Sequence, residues 1–165
     1  MQADFVQKIY DENGSVIDTS NGTLVLSKPN KFRWQVVNPM NQLVVSNGSK
    51  IWTYDADLAQ VVIKPVNQAI AATPLAILSG STEALGKGYV ITKQGDSYKL
   101  VVKQQETNFT TIILKFSNGA ISGMTLFDNL GQKTQLEFTE VKINLPVKTS
   151  DFQFTPPKGV DVIKQ

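Results

Sequence analysis

Short runs of apolar and β-branched residues, separated by turn dipeptides, extend along nearly the whole chain. Asn-Gly pairs occur at 13–14, 21–22, 47–48 and 118–119, and Gly95-Asp96 is a similar turn signal. Asn-Gly suits the positive φ angles of a type I′ turn, which joins neighbouring strands in a tight hairpin. Consecutive strands joined in this way form an antiparallel sheet. The pattern predicts strands near residues 4–11, 15–20, 22–27, 31–37, 42–46, 50–55, 60–65, 88–94, 97–104, 109–116, 120–128 and 132–143.

Alternation within these runs separates an apolar face of the sheet from a polar one. Phe32 and Trp34 share one side of their strand, because alternate side chains of a strand point to the same face. In the last predicted strand the alternation changes phase between Phe138 and Val141. A β-bulge near residues 139–140 would bring both side chains to one face, and bulges bend strands. The sequence therefore predicts a strongly curved antiparallel sheet.

Residues 68–85 interrupt the β pattern, because they are rich in alanine and leucine. Thr73 is a suitable N-cap, and Pro74 suits the first helical turn, where a missing N–H has no cost. The predicted helix is short and ends near residue 79. Its apolar side would consist of Leu75, Ile77 and Leu78. We expect this helix to bury that side against the concave face of the sheet, as a lid.

Composition narrows the class of protein. The chain has 165 residues, of which 41% are hydrophobic, and this suits one globular domain over residues 1–165. With 16 Lys and Arg against 14 Asp and Glu, the net charge of +2 gives no basic surface for nucleic acid. No apolar run is long enough to cross a bilayer, so the protein is not predicted to be inserted in a membrane.

The chain contains neither cysteine nor histidine, which excludes most catalytic and metal-binding arrangements. Serine triads, Cys–His dyads and zinc sites all need one of these residues. Asp55 and Asp57 leave two-carboxylate chemistry open, but their spacing is more typical of a turn in which Asp caps backbone N–H groups. We therefore expect no enzymatic activity, no metal and no cofactor.

A set of apolar side chains remains as the candidate functional site. Each of them alone is typical of an ordinary core. A single curved sheet, however, has no second sheet to fill its concave side, and one short helix would leave apolar space that binds apolar ligands. The candidate cavity residues are Phe32, Trp34, Leu43, Val45, Trp52, Ile63, Leu75, Ile77, Leu78, Leu114, Met124, Leu126 and Phe138.

Several blocks of the sequence resemble one known family. They are DFVQKIYDENG at 4–14, GTLVLSKPNKFRW at 22–34, NQLVVSNGSKIWTYDADLAQV at 41–61, TPLAILSG at 73–80 and FQFTPPKGV at 152–160. In this order and spacing they resemble the LolA family of periplasmic lipoprotein carriers. The resemblance spans nearly the whole chain and is least specific between the fourth and fifth blocks.

The resemblance implies both a fold and a function. The implied fold is a mainly β, LolA/LolB-like incomplete barrel of about 11–12 antiparallel strands, covered by a short helical lid. The implied function is to carry acylated lipoproteins through the periplasm, from the inner-membrane ABC transporter LolCDE to the outer-membrane receptor LolB. The acyl chains would be shielded in the cavity between sheet and lid, and the carrier would be a monomer.

The resemblance also implies roles for single residues. Phe32 is similar to the aromatic residue that the family has at the cavity mouth, and Trp34 and Trp52 to its strand tryptophans. Lys28 stands where many members have an arginine that latches the lid. Lysine lacks the planar guanidinium fork, so we expect a weaker latch.

The family resemblance leaves two alternatives. Family members usually begin with a signal peptide and an amphipathic helix, and we expect both to be missing from this chain. A LolB-like lipoprotein receptor is one alternative, although a receptor of that kind needs an N-terminal lipidated cysteine. A generic β-barrel module that binds hydrophobic ligands is the other alternative, and it would have a fully packed interior.

Overall fold

The computed structural model describes residues 1–66, 74–79, 86–103 and 109–165. In these residues it contains one sheet of 12 strands, so the predicted number of strands is confirmed. The strands are β1 (Gln2–Tyr10), β2 (Val16–Ser27), β3 (Lys31–Asn38), β4 (Gln42–Asn47), β5 (Lys50–Asp55), β6 (Gln60–Pro65), β7 (Tyr89–Gln94), β8 (Ser97–Val102), β9 (Phe109–Ser117), β10 (Ala120–Asp128), β11 (Lys133–Lys142) and β12 (Asp161–Lys164).

The strands follow the order β12-β6-β5-β4-β3-β2-β1-β11-β10-β9-β8-β7, and the sheet is open between β12 and β7. Neighbouring strands are antiparallel except β12, which runs parallel to β6. Side chains of β2 and β3 share one buried cluster with side chains of β8, β9 and β10. Strands so far apart in the order meet only if the sheet curves strongly, so the predicted curved sheet is confirmed.

The predicted hairpin turn at residues 21–22 is wrong, because β2 continues through it as one strand. Gly22 pairs with Phe5 of β1 and with Val36 of β3. A Cβ atom at Gly22 would lie 1.8 Å from the carbonyl oxygen of Gln35. Glycine is therefore required here by the close approach of the neighbouring backbone and not by a turn.

The predicted bulge in β11 is confirmed. Gln2 pairs with Lys142 while Asp4 pairs with Thr139, so β11 has one extra residue at this point. Glu140 has a φ angle of 51°, which is the left-handed conformation of a bulge residue. As a result, side chains on both sides of the bulge belong to the same interior.

The predicted helix is also present, as helix α1 (Pro74–Ser79). Ile77 is buried in the cluster on the concave face, and Leu78 packs against that cluster. The proposed cap Thr73 lies outside the described residues, and the side chain of Leu75 is not described either. The helix therefore covers part of the concave face, as the sequence predicts.

The outer face of β3–β6 is covered by the C-terminal segment. A 3₁₀ helix (Thr149–Phe152) packs on β3 and β4, and Phe152 is buried there. The ring of Phe154 then contacts the ring of Tyr54, with 5.4 Å between centroids. The chain ends as β12 beside β6, a strand that the sequence pattern does not predict. Both faces of this part of the sheet are therefore partly covered.

Candidate binding cavity

A cavity of about 650 Å³ lies between α1, the end of β2, strands β7–β10 and the segment 143–147. This volume is in the usual range of ligand pockets, about 300–1,000 Å³. The walls are mainly aliphatic and aromatic. They include Leu26, Ile91, Leu100, Ile121, Leu145 and Val147. The space beneath the lid is therefore apolar and incompletely filled.

One wall of the cavity is formed by alternate residues of β8 and β9. The rings of Tyr98 and Phe116 meet edge to face, with 5.6 Å between centroids and an interplanar angle of 85°. Leu114 lies beside them, because it pairs directly with Tyr98 across the two strands. Leu114 and Phe116 are only half-buried, in contrast to Leu100 deeper in the fold. These side chains keep apolar surface available to a ligand.

The lid is attached to the sheet through the turn between β2 and β3. The backbone N–H of Asn30 donates a hydrogen bond of 2.9 Å to the carbonyl oxygen of Ser79, at the end of α1. The buried hydroxyl of Ser46 in turn donates to the carbonyl oxygen of Asn30, at 2.5 Å. This short chain of hydrogen bonds holds the end of the helix over the concave face.

The predicted latch residue lies in the same turn. Lys28 is exposed and borders the cavity. The hydrogen bond between this turn and the helix, however, comes from the backbone of Asn30, two residues later. Sequence patterns identify side-chain types, so a backbone donor of this kind had no signal in the sequence. The role of Lys28 as a latch stays a prediction.

The structure brings eight of the predicted cavity residues to the concave face. Ile77, Leu78 and Leu114 line the cavity itself. The other five are buried in the core beside the cavity and do not border it in this structure. These are Phe32, Trp34, Met124, Leu126 and Phe138. Phe32 in particular is a core residue in this structure and is not among the residues that line the cavity.

Four predicted cavity residues lie on the opposite face, which corrects their assignment to the cavity. Val45 pairs with Trp52, and Trp52 pairs with Ile63, so all three share one face. Leu43 lies on the same face, since it is two residues from Val45 in β4. That face is apolar because the C-terminal segment covers it, and alternation alone cannot distinguish a covered outer face from an interior.

Other residues of the cavity were absent from the predicted set. Ile91, Tyr98, Phe116 and Ile121 line it directly. A signal for two of them existed, because Tyr98 and Phe116 alternate in phase with Leu100 and Leu114 in the sequence. The position of the cavity at this end of the sheet depends on the lid and could not be derived from that alternation.

The acidic pair Asp55 and Asp57 lies at the turn between β5 and β6. The carboxylate of Asp55 accepts hydrogen bonds from the backbone N–H groups of Asp57, at 3.0 Å, and Leu58, at 3.1 Å. The interpretation as an Asp-capped turn is therefore confirmed.

Across the described ranges, no cluster of three acidic, His or Cys side chains could hold a metal ion. Among the described helices, none has the length and hydropathy needed to span a membrane.

Comparison with known families gives a match over most of the chain. The model of the family described as outer membrane lipoprotein carrier protein LolA matches residues 1–155. A protein of Methylococcus capsulatus named outer-membrane lipoprotein carrier protein is 39% identical over 169 residues, which cover 99% of this chain and 81% of the relative. A protein of Legionella pneumophila with the same name is 38% identical, and the match covers 100% of this chain and 83% of the relative.

Solved structures confirm the fold at much lower sequence identity. A LolA superfamily protein from Nitrosomonas europaea superposes with a TM-score of 0.51 at 10% identity, covering 93% of this chain and 89% of that one. An uncharacterized conserved protein from Thermus thermophilus gives a TM-score of 0.54 at 16% identity, covering 100% and 91%. The open curved sheet is thus shared by proteins whose sequences have diverged widely.

Proposed function

We propose, since the chain belongs to the LolA family of outer membrane lipoprotein carrier proteins, that it carries acylated lipoproteins and shields their acyl chains beneath the lid. One observation carries this function: the apolar cavity of about 650 Å³ between the sheet and α1. Its walls offer aliphatic and aromatic surface, which is what an acyl chain needs to leave water. The carrier acts by binding and release, without catalysing a reaction.

The energetics of an acyl chain explain why the cavity needs a lid. Exposing such a chain to water costs about 0.8 kcal/mol per CH₂ group, so a carrier must bury most of its length. The carrier must also release the chain to the next protein. Ile77 of the lid is itself buried in the apolar cluster, so a ligand that displaces the lid has to offset the loss of that packing. This competition lowers the net affinity to a level at which transfer remains possible.

The contacts that the structure describes for the lid agree with the same function. The end of α1 is joined to the sheet through the Asn30 N–H, and its side chains Ile77 and Leu78 pack on apolar surface. A helix of six residues attached in this way can move without unfolding the sheet. The lid therefore opens for cargo at a moderate cost in free energy.

Family membership also supports the location and the partners. In this proposal the protein works in the periplasm as a monomer, receives lipoproteins from the LolCDE transporter and delivers them to the receptor LolB. In this proposal the carrier itself contributes no cofactor chemistry to either transfer, because for the carrier each transfer exchanges one apolar environment for another.

The test is the release of an acylated lipoprotein from membranes. Purified protein is incubated, in the presence of ATP, with proteoliposomes that contain the transporter and a lipoprotein, and the soluble fraction is examined for a one-to-one complex. The Ala120→Trp variant should lower the yield of complex at least about tenfold, because Ala120 lines the cavity and the indole would fill space needed by the acyl chain.

Thr92→Trp is the matched control, since Thr92 is exposed on the edge strand β7 and does not border the cavity. It should form as much complex as the unmodified protein. A soluble complex of equal yield with Ala120→Trp, or with a lipoprotein that lacks its acyl chains, would contradict the proposal.

A further inference from the structure

A second cavity, of about 690 Å³, adjoins the first at the tips of the β7–β8 and β9–β10 hairpins. We name this second cavity the hairpin groove. It is defined by five residues that line the second cavity and do not line the apolar cavity. They are Lys93, Gly95, Asp96, Ser117 and Asn118. All five are exposed, so the groove is open to solvent.

The two spaces share a wall. Tyr98, Phe116 and Gly119 border both the apolar cavity and the hairpin groove. The rings of Tyr98 and Phe116 meet edge to face in this shared wall, and a Cβ atom at Gly119 would have nothing within 4 Å. A single elongated ligand can therefore extend from one space into the other.

The two spaces differ in chemistry. The hairpin groove offers the ammonium group of Lys93, the carboxylate of Asp96, a hydroxyl and a side-chain amide. Among the described residues that line the apolar cavity, the only one with a charged side chain is Lys28, on the turn between β2 and β3. Together, the two spaces match a molecule with one long apolar part and one polar part.

The groove is held in place before any ligand binds. The backbone N–H of Phe116 donates a hydrogen bond of 3.1 Å to the carbonyl oxygen of Asp96, which joins the β9 strand to the β7–β8 turn. Asn118 and Gly119 adopt positive φ angles of 51° and 78°, as expected in a tight hairpin turn. A preformed groove loses little conformational entropy on binding.

We propose that the hairpin groove binds the polar end of the acylated cargo, namely the first peptide units next to the lipidated residue. This inference rests on the proposed function, because it takes the apolar cavity as the acyl site. Lys93 donates hydrogen bonds to carbonyl oxygens, and Asp96 accepts them from peptide N–H groups. The groove thereby selects acylated polypeptides over fatty acids and other simple lipids.

The test compares two probes with the same acyl group. One is N-palmitoyl-Gly-Ser-Ser amide, and the other is N-methylpalmitamide, which lacks the peptide. Affinities are measured by displacement of a fluorescent fatty acid from the full chain. We expect the peptide probe to bind about tenfold more tightly, the effect of one or two net hydrogen bonds.

Two groove variants should remove this preference. Ser117→Trp fills the groove and Lys93→Glu reverses its cation, and each should bring the peptide probe to the affinity of N-methylpalmitamide. The affinity for N-methylpalmitamide itself should not change. Lys99→Glu is the matched control. It makes the same change of charge, but at a residue on the other face of the same hairpin, away from both cavities.

The outcomes separate this inference from the proposed function. Equal affinities of both probes for the unmodified protein, or a preference that survives in both groove variants, would overturn the groove while leaving the acyl site in place. If neither probe displaces the fluorescent fatty acid from the unmodified protein, the proposed function fails, and the groove proposal fails with it.

Discussion

Two regions of the concave face have the same alternating sequence pattern but are filled to different extents. In the packed region, defined by Phe5, Phe32 and Trp34, the rings of Phe5 and Trp34 stack with 3.6 Å between centroids and leave no space. In the open region, defined by Leu114 and Phe116, the side chains are half-buried and border the cavity. The comparison indicates that one region supplies stability while the other supplies binding surface.

This division has a physical origin. In the packed region, large aromatic side chains of β1 and β3 pack against each other on the concave face and fill it. At the hairpin end, the cover that the structure describes is helix α1 and the segment 143–147, and a cavity of about 650 Å³ remains beneath it. Substitutions in the packed region should therefore affect folding, and substitutions in the open region should affect ligand binding.

The largest effect is expected for Phe32→Glu. Phe32 is 1% exposed, so the change removes a core ring, at a cost of about 3–5 kcal/mol, and also buries a carboxyl group. We expect the variant to be largely unfolded, as measured by circular dichroism and urea denaturation. A folded variant of normal stability that no longer binds fatty acid would instead place Phe32 in the open region.

A somewhat smaller loss is expected for Gly22→Ala. The added Cβ would meet the Gln35 carbonyl oxygen and the Phe5 ring, at 1.8 and 2.8 Å, so β2 and β3 must separate. We expect the free energy of unfolding to fall by about 3 kcal/mol, at the upper end for overpacking. Gly86→Ala is the control, because nothing lies within 4 Å of a Cβ there. Equal stability of the two variants would contradict the close approach.

Leu114→Glu should affect binding more than folding. Leu114 is half-buried and borders the cavity, so its carboxylate can remain hydrated in the free protein. A bound acyl chain would remove that water, and we expect the affinity for fatty acid to fall at least about tenfold. Fluorescence titration and urea denaturation of the same samples measure both effects. Unfolding comparable to that of Phe32→Glu would contradict the division into two regions.

The smallest effect concerns Tyr89, at the start of β7. Burial raises the pKa of the Tyr89 hydroxyl above its ordinary value of 10.0. The folded state therefore retains this proton more strongly than the unfolded state, and the resulting stability is present below pH 10 and is lost as the pH rises through the folded-state pKa. Tyr89→Phe should lose less stability than the unmodified protein between about pH 9 and 11, as measured by urea titrations across that range.

Local patterns predicted much of the fold because the causes are local. The turn signal at 118–119, the bulge near Glu140 and the helix that begins at Pro74 all depend on residues close in sequence, and each is present. The turn predicted at 21–22 failed for the opposite reason. Glycine is needed at position 22 because the backbone of Gln35 lies so close. Gln35 is distant in sequence and near only in the fold.

The candidate site was predicted less completely, also for a physical reason. Leu78 and Leu114 could be identified as cavity residues, because helix position and strand alternation place them on the concave face. Val45 and Trp52 could not be excluded, since a strand covered on both sides can have apolar side chains on both faces. The strand register shows that these two residues face outward, because Val45 pairs with Arg33 and not with Phe32 or Trp34, and the C-terminal segment covers that outer face.

By itself, the sequence determined most of the strands, the alternation of their side chains, the lid helix and the lack of histidine and cysteine that removes most catalytic chemistry. The tertiary structure alone decided which face is the interior, where β12 pairs, and where the cavity lies. The reason is that alternation follows from local geometry, whereas an empty space depends on which distant side chains fail to meet. For this protein, that unfilled volume is the candidate site.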